Sequence, residues 1–178
     1  MLAAYAFAQM RFRGKAVVCT LLLATYMMPA EATLIPNFVM MSRRYLNLYD
    51  TYLAQILPFL ATAFAIFLLR QQFLGIPAEL RDAARIDGAG HLRFLWSVVL
   101  PISVPALVTL TVISFLASWN SFLWPLLIGQ DPAYRTVQVA LSAYTSSQRV
   151  DTAQVFMGSA VAILPVLVVF VVLQRQLV

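Results

Sequence analysis

The chain has 178 residues, of which 62% are hydrophobic and only 11% charged, with a mean hydropathy of +0.84; soluble domains carry about a quarter of their residues as charges, so a water-soluble globular protein is excluded. The apolar blocks run to ~20 residues, the length of a helix crossing a ~30 Å hydrocarbon core and twice that of a barrel strand, which makes the fold all-α, a polytopic membrane helix bundle in contact with membrane lipid. A net charge of +5 would point a soluble protein to nucleic acid or acidic lipid, but in a membrane chain the side on which each Lys and Arg falls matters more, and no nucleic-acid partner is expected.

Met1 to Met10 is apolar but half the length of a span, with its positive charges after the apolar part instead of before it as in a signal peptide. It reads as the end of a helix whose beginning is absent. Arg11, Arg13 and Lys15, broken by Gly14, form a basic turn that the positive-inside rule places in the cytoplasm. A span is expected over about 16–41, with a break or kink from Pro29 and Pro36. Fifteen residues of helix rise ~22 Å, which puts Glu31 near the outer interface, either as a snorkelling carboxylate or facing a cavity. Cys19, the single cysteine, lies in an apolar run and reads as packing.

Ser42 to Asp50 is a short polar connection on the outside, although Arg43 and Arg44 count against that side. The next span is expected over about 51–69, with Pro58 inside and Arg70 at its cytoplasmic end. A further span covers about 100–128 and contains Pro101, Pro105 and Pro125. Residues 129–152 form a longer outer segment, with a short helix over Thr136 to Tyr144, and the last span runs over about 153–173. There Gly158 and Ala162 have the small-xxx-small spacing that lets helices approach closely. Lys and Arg fall eight inside (11, 13, 15, 70, 81, 85, 93, 175) and four outside (43, 44, 135, 149). Four spans and a partial one, with a last helix that ends without a tail, read as a fragment of a longer bundle.

Glu79 to Pro105 stands apart. It holds five of the nineteen charged side chains within its first nine residues. Pro77 suits a first helical position, Glu79 and Asp82 favour the start of a helix, and Gly88 after Asp87 can take the left-handed conformation that ends one. A second helix is expected from about Gly90 to Val99, with Leu92, Leu95, Trp96 and Val99 spaced as one apolar face. Periodicity alone allows an inert interfacial helix or a docking element that passes a push to the spans on either side.

The run DAARIDGA from Asp82 to Ala89, followed by VVLP from Val98 to Pro101, resembles the EAA loop of the membrane permease subunits of binding-protein-dependent ABC importers, with Asp82 in place of the usual Glu and Val98 in place of the usual Ile. SWNSFLWPLL, from Ser118 to Leu127, is similar to the fifth helix of the carbohydrate-uptake branch, the maltose-type and glycerol-phosphate-type permeases. AAYAFAQMRFRGK, near the start, and VVFVVLQRQLV, at the end, resemble the end of the second core helix and the last helix. Set against that family, the first helix, most of the second and a short Gly-rich tail are missing, so the chain reads as a partial type I permease core over 1–178.

The resemblance implies a permease of the bacterial or archaeal cytoplasmic (inner) membrane that works with a second permease subunit as a heterodimer, an ABC ATPase subunit and an external solute-binding protein. Loop 71–99 would be cytoplasmic, and Asp82, Ala83, Ala84, Asp87, Gly88, Leu100 and Pro101 would couple it to the ATPase. ATP would be used by that partner. No cofactor is expected on this chain, which has no Walker motif. A polar solute needs polar partners in a dry bilayer, and Asn120 is the best candidate. Trp119 and Trp124 could stack on a sugar face or form an outer aromatic belt, and Ser118, with Ser114 and Ser121, could line a path or join helices. His91, the only histidine, has no neighbouring metal ligand or nucleophile, so no catalytic or metal site is expected. An importer for a non-sugar solute and an ATP-independent channel or carrier are the competing functions.

Overall fold

The computed structural model of the chain describes residues 1–146 and 152–177. Among these residues the regular structure is helical. In chain order the helices are α1 (Leu2–Gln9), α2 (Lys15–Tyr26), α3 (Ala30–Met41), α4 (Tyr52–Ile56), α5 (Ala63–Leu74), α6 (Ala78–Ile86), α7 (His91–Phe94), α8 (Leu100–Ile102), α9 (Val104–Trp119), α10 (Leu123–Ile128), α11 (Val137–Ser146) and α12 (Thr152–Leu177). A π-helical turn, Leu95–Val99, joins α7 to α8. Arg149 and the other residues of 147–151, assigned above to the outer segment, lie outside the described residues.

Among the described residues, by length and composition, one helix, over Thr152–Leu173, can cross a membrane by itself; the number rises to four if each of three helix pairs separated by a short break is one span. The breaks fall where the sequence supplies a proline or a cap. α2 stops at Tyr26, and Pro29 caps α3. Where a single span over 51–69 is expected, there are two pieces. Thr51 caps α4, Leu57–Phe59 tightens to a 3-10 turn around Pro58, and Thr62 caps α5, which runs on past Arg70 to Leu74. Both threonine hydroxyls accept an otherwise orphaned backbone N–H, from Ala54 and Ala65 at 3.3 Å each. The stretch 100–128 is likewise divided, at Ser103 and again at Asn120 to Phe122.

The chain forms two compact units. The first comprises Met1–Met28 and Ala61–Thr111. Its core is Ala4, Tyr5, Leu69, Phe73, Ile76, Phe94, Leu95 and Val99, so that α1 and α5 clamp the π-helical turn. Gly14, at φ +83°, reverses the chain between α1 and α2. Lys15 then folds its ammonium back to donate to the Ala8 and Met10 carbonyls at 3.4 and 3.1 Å, which closes the C-terminal end of α1.

The second unit comprises Pro29–Leu60 and Val112–Gln176. Met41, Ala54, Trp124 and Ile128 make its core. Proline 58 lacks the N–H that would reach the Ala54 carbonyl one helical turn back, and the indole Nε1 of Trp124 donates to that carbonyl instead, at 3.2 Å. The small-residue pair on α12 is used for close approach: a Cβ on Gly158 would lie 2.8 Å from Leu141 Cδ1 of α11, and Ala162 is buried. Gly129 is crowded from three sides, since a Cβ there would meet Gln55 Nε2 and the Tyr134 carbonyl at 3.0 Å and the Pro125 carbonyl at 3.2 Å. Gly129→Ala is therefore expected to destabilise the protein by ~1–3 kcal/mol through overpacking against backbone atoms, read as a lowered unfolding temperature in detergent; an unchanged temperature would show that the turn relaxes freely.

Candidate functional site

The loop between α5 and α9 is built on the first unit's core. Ala84 of α6 and Val98 pack against that core, while Phe94, Leu95 and Val99 are part of it. Side chains of α1 fix the rest. Gln9 Nε2 donates to the Phe73 carbonyl at 2.7 Å, its Oε1 accepts from Arg81 Nη1 at 3.2 Å, and the Tyr5 hydroxyl lies 3.1 Å from His91 Nδ1. Each of these bonds crosses more than sixty residues of sequence, so α6 and α7 are held to α1 and α5 by specific polar contacts as well as by burial. His91 is thus a partner of Tyr5.

α6 begins one residue later than expected, with Pro77 as its cap, and ends at Ile86, where Asp87 closes the helix and Gly88 takes φ +72°. Glu79, Asp82, Ala83 and Ile86 follow i, i+3, i+4, i+7 spacing and share one helical face, and all four are exposed, Ile86 at 87%. Asp87 and Gly88 are exposed beside them. Ala84 points the other way, into the partly buried layer over the core. The predicted coupling residues therefore divide: Asp82, Ala83, Asp87 and Gly88 lie on the open side, and Ala84 anchors the helix. Leu100 is half-buried and Pro101 exposed.

The apolar face expected from Leu92, Leu95, Trp96 and Val99 is corrected. Leu95 and Val99 are buried at 1% and 0% exposure, but Leu92 and Trp96 stand out at 66% and 63%. The cause is the π-helical turn over Leu95–Val99: its wider i to i+5 pattern directs Phe94, Leu95 and Val99 inward and leaves Trp96 outside. Beyond it Ser103 is fully buried, its hydroxyl has no hydrogen-bond partner, and the helix axis turns by 76° between His91–Ile102 and α9. Val104, immediately before Pro105, is disfavoured as a continuation of the preceding helix.

In the second unit the residues proposed for a solute path have mostly structural engagements. Trp124 is 3% exposed and its N–H is held by Ala54; with Phe59 at its edge, 6.2 Å between ring centroids, it offers no open face for stacking. Trp119 stacks on Phe115 at 5.7 Å and donates its N–H to the Ala162 carbonyl at 3.0 Å. Asn120 is exposed, and its Nδ2 donates to the Leu116 carbonyl at 2.8 Å, closing the end of α9. Ser118 is exposed. The sequence contained the tryptophans but no sign of their acceptors, which lie 70 and 43 residues away.

Apolar helices interrupted at short breaks, with a charged helix, a glycine bend and a second helix between two of them, define a membrane protein with an ordered polar loop. The chain belongs to the family of inner membrane components of binding-protein-dependent transport systems, whose profile matches residues 1–178. It is 38% identical over 177 residues to the sn-glycerol-3-phosphate transport system permease protein UgpE of Yersinia enterocolitica, covering 98% of this chain and 62% of that protein. To the lactose transport system permease protein LacG of Rhizobium radiobacter it is 36% identical, covering 99% of this chain and 64% of the relative. Its fold matches a chain of a crystal structure of a bacterial ABC transporter involved in the import of the acidic polysaccharide alginate, with a TM-score of 0.81 and 30% identity over 97% of this chain and 65% of that one. The chain thus spans less than two thirds of the length of these relatives.

Two substitutions separate packing from solute contact. Trp124→Phe should leave the Ala54 carbonyl without a donor and destabilise the protein by ~1–3 kcal/mol, visible as a lower unfolding temperature in detergent with solute affinity unchanged. In Asn120→Ala, a weakened solute affinity in uptake measurements on the intact complex would place Asn120 on the path; unchanged affinity would leave it as a helix terminator.

Proposed function

We propose that the chain is the membrane-spanning, non-catalytic permease part of an ATP-driven importer for sugars or sugar-like solutes. Its α5–α9 loop would face the cytoplasm and receive motion from a separate ATPase subunit. The observation that carries this reading is the division of α6 into an anchored face and an open one. A short helix whose Ala84 side is packed on α1 and α5 can shift those helices when a partner moves its Asp82, Ala83 and Ile86 side. A loop without internal packing could not pass on such a displacement.

The solute class rests on the relatives, whose names specify glycerol phosphate, lactose and arabinooligosaccharide transport, and on the alginate importer of similar fold. A second permease subunit and an external solute-binding protein complete the proposed complex, the latter in keeping with the family's description.

Gly88 provides the test. A Cβ there would meet nothing within 4 Å, so only its positive φ demands glycine. For a residue with a Cβ the left-handed conformation costs roughly 1–2 kcal/mol, less for Asn. In the intact complex, Gly88→Val should lower solute uptake relative to ATP hydrolysis by about tenfold, whereas Gly88→Asn should retain most of it; Asp82→Lys and Asp87→Lys should uncouple in the same direction. Normal uptake per ATP hydrolysed in Gly88→Val would overturn the coupling role.

A further inference from the structure

The first unit contains a cavity of about 300 Å³. It is lined by Gln9 and Met10 at the end of α1, Arg11 just beyond, Arg81 and Arg85 on α6, and His91 at the start of α7. The formally charged side chains among them are all positive. Arg81 and Arg85 are one turn apart on the same helix face, where like charges repel. Asp82 gives little relief: its Oδ1 lies 3.8 Å from Arg81 Nε, too far for a hydrogen bond, and that Nε is enclosed without an acceptor. Gln9 orients the Arg81 guanidinium through Nη1, and Tyr5 occupies His91 Nδ1, leaving Nε2 as the ring nitrogen available to the cavity.

We propose that this cavity is a binding site for a phosphate group, either the head group of an anionic phospholipid or a free phosphate. Guanidinium forks match phosphate oxygens in pairs, and basic pockets at the cytoplasmic ends of membrane helices suit anionic head groups. The volume is at the lower end of that of small-ligand sites, ample for a phosphate and too small for a nucleotide's full extent. An anion seated there would neutralise the arginine pair and bridge α1 to α6 and α7, tying the loop to the helix beside it. The lipid source rests on the cytoplasmic placement proposed above; the anion chemistry rests on the lining alone.

Binding is read without transport. The intact complex, free of nucleotide, is reconstituted in nanodiscs of phosphatidylcholine with or without phosphatidylglycerol, and retained lipid is followed by native mass spectrometry. In parallel, inorganic phosphate is titrated against the detergent-solubilised complex with unfolding temperature as the readout. Specific retention of phosphatidylglycerol, stabilisation by phosphate, or both, is expected, and the arm that responds identifies the source. The double variant Arg81→Gln, Arg85→Gln should weaken the response by roughly tenfold or more. Arg11→Gln, outside any helix, should weaken it without disturbing the fold, and the charge-keeping Arg85→Lys should retain part of it. Equal lipid retention and equal phosphate stabilisation in the parent complex and these variants would overturn the site. Variants that lose the ATPase subunit but bind both anions at full strength would assign the arginines to a partner's carboxylates, and would overturn it too. Neither readout depends on coupling, so failure of the Gly88 experiment leaves this one intact.

Discussion

A backbone carbonyl left without its helical donor inside an apolar layer must find another, because the alternative is several kcal/mol of unsatisfied polarity. Pro58 creates such a carbonyl at Ala54, and Trp124 answers it. The same indole fills the second unit's core with Met41 and Ile128, so one side chain supplies both the packing and the missing proton. Trp119 donates in the same way to the Ala162 carbonyl of α12. Pro58 is therefore accommodated through a tertiary contact, and that contact ties α4 to α10.

The loop obeys the same requirement at the edge of the apolar layer. Gln9 is a relay: it donates to the Phe73 carbonyl and accepts from Arg81. Lys15 closes the end of α1 through the Ala8 and Met10 carbonyls. α6 is held on one side by the Gln9–Arg81 bond and by Ala84, while its other side is exposed and apolar at Ile86. That combination separates α6 from a loosely held connector.

Much of this was legible beforehand. Pro77, Glu79, Asp87 and Gly88 mark α6 and its bend by local chemistry alone, and the apolar lengths give the fold class. What local chemistry cannot show is pairing across the chain. Trp124 and Ala54 are seventy residues apart, so the tryptophan reads as a free aromatic platform until its acceptor is seen. The π-helical turn was hidden for another reason: Leu92 and Trp96 fit an α-helical face as well as Leu95 and Val99 do, and only packing against Tyr5 and Phe73 selects the wider spacing. The basic cavity was equally invisible, since its residues come from three segments and only Arg81 and Arg85 show a regular interval.

The segment Thr152–Leu173 has a bearing on how the chain is made. It is almost unburied within the structure, and the hydroxyl of Ser159 in its apolar run is bonded back to the Val155 carbonyl. With Leu, Ile, Val and Phe each favouring the bilayer by ~0.3–0.6 kcal/mol during translocon sorting, it can partition into lipid unaided. The segment interrupted at Pro58 differs: its Ala54 carbonyl meets its indole donor only once Trp124, seventy residues later, has been made, so until then that carbonyl depends on another donor.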